Sequence, residues 1–305
     1  VKNSYSDKVA YYSEDMRREI LEEQELTGEM DAALEGGQFL VYFQPQVNYE
    51  NGQLIGAEAL LRWNHPVRGL IPPGRFIPLF EKNGFISKLD EFVWDKSCAY
   101  MRKWLDNRGM LLPVSVSVNI SRMDIYNKNL CSNLMALVNK YDLTPSSLRL
   151  EITEGVYMED SALLAKVVSQ LQAAGFTVEM DDFGSGYSSL NMLKDVPVDI
   201  LKLDMRFLSS SRDEARGGNI LSSVIRMANW LRLPIITEGV ETREQADYLK
   251  NLGACYMQGY YFGKPMPAEE FEAILSGKNV GALDRYRSAD IDGMAAFWDA
   301  SAQNA

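Results

Sequence analysis

The chain has 305 residues, 46% of them hydrophobic, and a formal net charge of −11. So acidic a protein does not track a nucleic-acid polymer, because phosphate-binding faces are basic, and no apolar run approaches the ~18 residues that span a bilayer. The length suits one barrel of about 250 residues with extensions better than two ordinary domains.

Residues 1 to about 30 read as a charged helix capped by Ser13, with Met16, Ile20 and Leu21 set among acids and Arg17-Arg18. This is either a solvated linker helix or a signalling or dimerising coil; Gly28 weakens it without having to end it. The chain opens with Val and reads as an excerpt of a longer cytoplasmic protein, which segments outside it could tether to a membrane. From Asp31 to Lys278 one pattern recurs: a strand-like apolar run closes on an oxygen-rich residue. Ile55-Gly56-Ala57 leads to Glu58, Val114 to Val118 leads to Asn119, and Leu148-Arg149-Leu150 leads to Glu151. Phe176-Thr177-Val178 runs towards Asp181-Asp182, Val198 to Leu201 reaches Lys202-Leu203-Asp204, and Leu233 to Thr237 reaches Glu238. Segments of helical period, such as Ala162 to Ala174 and Asn219 to Leu231, lie between them. Strands alternating with helices imply a parallel sheet. Polar residues gathered at many strand ends imply the active face of a (β/α)₈ barrel. The tail from Asn279 to Ala305 is mixed, with Phe297 and Trp298 placed to pack back onto the barrel. Cys98, Cys131 and Cys255 show no paired-ligand spacing and read as thiols in a reducing compartment.

The most informative stretch is Met180-Asp181-Asp182-Phe183-Gly184-Ser185-Gly186. Neighbouring side chains of a strand point to opposite faces, so two adjacent carboxylates converge only where the strand ends. Anions that close raise each other's pKa unless a cation lies between them. Glu58, Asn119, Glu151, Asp181, Asp182 and Glu238 offer only oxygen, which suits Mg²⁺ or Mn²⁺. Five carboxylates and one amide exceed what one octahedral ion takes from protein; two ions flanking a water fit better, and such pairs cleave phosphodiesters. His65, the single histidine, lies in Asn64-His65-Pro66 and reads as a loop residue, so a histidine triad or zinc site is not expected. The nucleophile is then water. Lys202 orients it or stabilises charge on a phosphate, unless it merely pairs with Asp204 on the same strand face. Lys202 and Arg62 supply positive charge for a small anionic substrate.

Glu58-Ala59-Leu60-Leu61-Arg62-Trp63 resembles the signature of the EAL family of cyclic di-GMP phosphodiesterases. Other landmarks resemble that family in order: Phe43-Gln44-Pro45-Gln46, His65-Pro66, Phe76-Ile77-Pro78, Val118-Asn119-Ile120-Ser121 and Glu151-Ile152-Thr153-Glu154. The Asp-Asp-Phe-Gly loop, Leu201-Lys202-Leu203-Asp204, Glu238-Gly239-Val240-Glu241 and Gln258-Gly259-Tyr260 complete the series. The resemblance implies a modified (β/α)₈ barrel with one antiparallel strand, and hydrolysis of cyclic di-GMP to linear pGpG. It implies a metal shell of Glu58, Asn119, Glu151, Asp181, Asp182 and Glu238, with Glu58, Glu238, Lys202 and Gln258 in the catalytic set. Lys202 resembles the family's catalytic lysine, and Gln258 the glutamine near the attacking water. Gln44, Leu60 and Arg62 resemble substrate contacts, and Glu154 the residue that steadies the loop after Asp182, a loop tied to dimerisation. A homodimer, an upstream GGDEF or sensory domain, two Mg²⁺ or Mn²⁺ ions, and inhibition by Ca²⁺ are expected on the same ground.

Departures from the family pattern are Ser185, Phe43 and Thr237, none of which removes a ligand. Two other functions compete: a non-catalytic receptor of the same fold, and an enolase-type barrel using three carboxylates, Mg²⁺ and a lysine base. The first usually lacks ligands that are present here. The second needs no second metal, no Asn119 and no paired aspartates.

Overall fold

The structure is a computed structural model that describes residues 13–107, 115–157, 160–183, 193–205 and 214–276. The loop at 184–192, with Gly184, Ser185 and Gly186, and the tail with Phe297 and Trp298 lie outside the described residues. Eight strands close a barrel: β1 (Phe39–Asn48), β2 (Gln53–His65), β4 (Ser115–Asn119), β5 (Leu148–Thr153), β6 (Thr177–Asp181), β7 (Ile200–Asp204), β8 (Ile235–Glu238) and β9 (Tyr256–Gln258). Pairing is parallel from β2 through β9, while β1 runs antiparallel to β9 and closes the ring against β2. The modified barrel with one reversed strand is therefore present. Two short strands, β3 (Gly69–Ile71) and β10 (Met266–Pro267), extend its ends antiparallel to β2 and β1.

The period-two alternation of the strands distributes the chemistry. Val116, Val118, Leu148, Leu150, Ile152, Val178, Met180, Leu201 and Met257 are fully buried on one face of the strands. The residues between them are unusually polar: Ser115, Ser117, Arg149, Glu151, Glu179, Lys202, Gln46 and Gln258 are also buried. The registers Asn119↔Glu151, Glu151↔Glu179 and Asp204↔Glu238 bring these polar side chains of neighbouring strands level with one another. Crossover helices such as α3 (Ile86–Asp106), α5 (Leu130–Lys140) and α7 (Ser161–Ala173) follow the strands, each burying an apolar stripe that includes Leu134 and Val138 or Leu164 and Val168.

The chain divides into two compact units. The smaller joins residues up to Leu40 with Leu61–Leu89; the larger joins Val41–Leu60 with the chain from Asp90 onward. In the smaller unit α1 (Glu14–Glu35) is capped by the Ser13 hydroxyl, which accepts from Met16 N–H at 3.2 Å, and it continues through Gly28. Its acidic face is partnered: Glu29 meets His65 Nε2 at 2.5 Å, Glu22 pairs with Arg75, and Asp31 receives Lys88 Nζ at 2.8 Å. His65 Nδ1 accepts from the backbone N–H groups of Val67 and Arg68, both at 3.1 Å, so the histidine fixes a turn. No helix among the described residues is long and apolar enough to cross a membrane.

In the larger unit, Asp90 on α3 and Asp124 on α4 (Arg122–Ile125) are both buried, and the Asp124 side chain bears on the Asp90 carboxyl. Burial first, and then the Asp124 carboxylate, push the Asp90 carboxyl well above its usual range, while Ser121 partly offsets them. The native chain therefore binds a proton at Asp90 more tightly than the unfolded chain does, and the stability this contributes below about pH 4 is lost as pH rises from there through the raised native value. Asp90→Asn keeps a hydrogen-bond donor without the charge. Calorimetric melting across pH 4–7 should show a flatter pH dependence and a higher melting temperature at pH 7 for the variant; an unchanged slope would count against the raised Asp90 carboxyl.

Candidate active site

The site is built in the larger unit from strand ends that share one face of the barrel. Lys202 on β7 is fully buried, and its ammonium faces four carboxylates. Glu151 Oε1 and Glu238 Oε1 lie 2.6 Å from Nζ, Glu58 Oε2 3.3 Å and Asp181 Oδ1 3.6 Å. These residues come from β2, β5, β6, β7 and β8, so the cluster exists only because the ring is closed. Burial lowers the Lys202 pKa, but Asp181, Glu151, Glu238 and Glu58 outweigh it and hold the ammonium well above its ordinary value. Glu151 and Glu238 are both pushed well up, by burial before anything else, with Glu58 and Asp181 adding repulsion and Lys202 opposing it.

β6 ends at Asp181, and Asp182 adopts a left-handed backbone with φ 54°, its N–H donating to Asp181 Oδ1 at 2.8 Å. Asp181 is half-buried and Asp182 exposed. Such a conformation is uncommon for aspartate, and it is the break in alternation that the sequence demands of two adjacent carboxylates. Asn119 ends β4 half-buried, and its carbonyl accepts from Trp94 Nε1 at 3.0 Å. Gln258, at the end of β9, donates through Nε2 to Glu58 Oε2 and, at 3.1 Å, to Gln44 Oε1. Gln44 in turn donates to the Gly263 carbonyl at 3.1 Å. Gly259 is needed beside Gln258, because a Cβ there would overlap the backbone of Val240, whose N–H donates to Gln258 O at 3.1 Å. Glu154 is buried where α6 (Glu154–Tyr157) begins. Leu60 and Arg62 are half-buried on β2, with Arg62 Nη1 donating to the Leu61 carbonyl at 2.8 Å.

Among the described residues no three carboxylates form a ready cation cage, because the Lys202 ammonium holds the centre. The donor chemistry nevertheless fits hard cations. Glu151 Oε2 is buried without a hydrogen-bond partner. With Asp182, five carboxylates stand around one ammonium, an all-oxygen donor set of the kind that suits divalent cations.

Three buried polar residues of this interior carry no role in the reading of the sequence: Gln46, Arg149 and Glu179. Arg149 sits inside an otherwise apolar strand run and is easily passed over. The signal was spacing: Gln46, Arg149 and Glu179 each stand two residues from Gln44, Glu151 and Asp181, and so share their strand face.

A barrel with its acidic residues at the carboxyl ends of parallel strands defines an enzyme-type active face. The family model for the EAL domain matches residues 28–265, and the chain belongs to that family. It is 38% identical over 266 residues to the bifunctional diguanylate cyclase/cyclic di-GMP phosphodiesterase MucR of Pseudomonas aeruginosa, covering 87% of this chain and 38% of MucR. It is 36% identical over 244 residues to the cyclic di-GMP phosphodiesterase RocR of the same organism, covering 80% of this chain and 62% of RocR. The chain thus spans less than two thirds of either relative. Among solved structures, the PaMucR phosphodiesterase in complex with c-di-GMP superposes with a TM-score of 0.76 at 39% identity, covering 81% of this chain and 99% of that one.

A cluster with surplus negative charge is held at a cost to the fold. Glu151→Gln removes one of those charges at nearly constant volume. The metal-free melting temperature should rise by about 2–4 °C, while the stabilisation gained on adding Mn²⁺ shrinks. A lower metal-free melting temperature would show that the Glu151–Lys202 pair outweighs the repulsion.

Proposed function

We propose that this chain is a metal-dependent phosphodiesterase that opens cyclic di-GMP to linear pGpG. The observation that carries this reading is the buried Lys202 ammonium held among Glu58, Glu151, Asp181 and Glu238 at the carboxyl ends of the strands. The names of MucR and RocR, and the c-di-GMP complex of the PaMucR phosphodiesterase, support the same substrate. Glu58, Asn119, Glu151, Asp181, Asp182 and Glu238 would hold two Mg²⁺ or Mn²⁺ ions. When bound, such a pair polarises the phosphate and acidifies the attacking water.

The chain's own residues do the rest. Water attacks one phosphorus, the P–O3′ bond breaks, and the product carries a 5′-phosphate and a free 3′-hydroxyl. Lys202, protonated across the working pH range, stabilises the negative charge that builds on the phosphoryl oxygens. Gln258 orients the attacking water, with its amide turned towards Glu58. Gln44, Leu60 and Arg62 bind the nucleotide, and Glu154 steadies the loop that follows Asp182. Residues 31–278 carry the catalytic barrel, residues 1–30 link it to an upstream GGDEF or sensory domain, and two copies pair through the region after Asp182. The acidic character of the chain argues against a nucleic-acid polymer as the main partner and is compatible with a small anionic nucleotide. The protein acts in the cytoplasm, lowering the level of a second messenger.

Incubating a metal-stripped preparation with cyclic di-GMP and each ion separately, then separating the nucleotides, tests the activity. Mg²⁺ or Mn²⁺ should restore pGpG formation. Ca²⁺, with looser coordination at about 2.3–2.6 Å, should support nucleotide binding without cleavage and inhibit in competition with Mg²⁺. Turnover with Ca²⁺, or with no divalent ion, would overturn the mechanism. Lys202→Met should lower kcat by about 10²–10³-fold with little change in nucleotide affinity; a change confined to KM would make Lys202 a binding residue.

A further inference from the structure

Beneath the carboxylate cluster lies a second polar layer in the same unit. Arg149 is fully buried and donates through Nη1 to Glu179 Oε1 at 2.9 Å, a carboxylate buried with it. Its Nη2 donates to Gln46 Oε1 and lies 3.5 Å from the Ser115 carbonyl oxygen. Gln46 Nε2 donates to Gln258 Oε1 at 2.8 Å, and Gln258 Nε2 donates to Glu58 Oε2 and to Gln44 Oε1.

The two ends of this chain of amides are chemically unlike. A guanidinium has only donors, and an ionised carboxylate has only acceptors. With Arg149 at one end, Gln46 must present oxygen to it and nitrogen to Gln258. Gln258 must then present oxygen to Gln46 and nitrogen to Glu58. If either amide were turned over, two donors or two acceptors would face each other in a site closed to water, a costly arrangement. Glu179 matches the Arg149 charge from below, so the layer adds no net charge to the cluster above it. Gly56, two residues before Glu58, makes room for the device: a Cβ there would overlap Arg149 Nη2 and come within 2.9 Å of Gln46 Oε1.

We infer that Arg149 is a positioning residue for this site, fixing through Gln46 the direction in which the Gln258 amide meets the Glu58 carboxylate. The relay holds one Glu58 oxygen in place and leaves the rest of that carboxylate to face a cation. This inference rests on the metal-dependent reading of the site, and outer partners of a metal ligand typically set affinity by 10–100-fold.

The test is Mn²⁺ binding to the full chain without nucleotide, followed by electron paramagnetic resonance, with far-ultraviolet circular dichroism and melting as controls for folding. Gln46→Leu leaves the Arg149–Glu179 pair intact and cuts the relay; it should weaken Mn²⁺ binding about 10-fold or more. Gln46→Glu still accepts from Arg149 but has no N–H for Gln258, and should weaken binding to a similar degree. Should a lone arginine change unfold the chain, the charge-neutral pair Arg149→Met with Glu179→Met serves in its place. Combined with Gln46→Leu, that pair should add no further loss, since both changes cut the same path. Folded variants that bind Mn²⁺ as the unmodified chain does, or losses that simply add, would overturn the relay. An unmodified chain that binds no Mn²⁺ would overturn the metal reading and the relay together, whereas Mn²⁺ binding without cyclic di-GMP cleavage would sink only the proposed activity.

Discussion

The carboxylate cluster of the larger unit depends on one buried cation, the Lys202 ammonium. Taking a charge from water into a protein interior costs several kcal/mol unless partners surround it. Lys202 is fully buried, with two carboxylate oxygens at 2.6 Å and two more within 3.6 Å. The ammonium is thus strongly held, but its partners outnumber it. The fold keeps more carboxylates than cations around a buried ammonium, at strand ends where Asp181 is half-buried and Asp182 exposed. The repulsion among these carboxylates and the suitability of their oxygens for hard cations have one electrostatic origin.

The barrel tolerates this because its strands divide their labour. Apolar side chains such as Val116, Leu150, Val178 and Leu201 take one face, while the alternating positions carry charge and amide groups. Closing the ring satisfies backbone groups that an open sheet would leave at its edges, and the polar side chains then satisfy each other. The upper layer carries surplus negative charge; the Arg149–Glu179 layer below it is neutral. A neutral lower layer can orient side chains by hydrogen bonds without weakening the field that holds a cation above it.

The smaller unit is held in a different way. Phe39, Trp63, Phe76 and Phe80 pack with ring centroids 5.1–6.4 Å apart. The acidic face of α1 pairs with Arg68, Arg75, Lys88 and His65. In sequence this face reads as solvated. Glu25 and Arg68 lie 43 residues apart, and Glu22 and Arg75 lie 53 apart. No local period exposes such a pairing.

The fold class was legible because strand and helix periods are local properties, and six strand ends repeat the same polar punctuation. The members of the carboxylate cluster were legible for the same reason. Asp181-Asp182 announced a strand end, and the structure supplies it as a left-handed residue at Asp182. Sequence also set which ions could suit the site, since ligand chemistry follows residue type alone. Only the tertiary structure decided which oxygen faces Lys202, that Gln258 turns its nitrogen to Glu58, and that Arg149 is an interior residue beneath the site. These are relations between strands up to 200 residues apart. Each depends on which strand lies beside which when the ring closes, and a one-dimensional pattern carries no information about that adjacency.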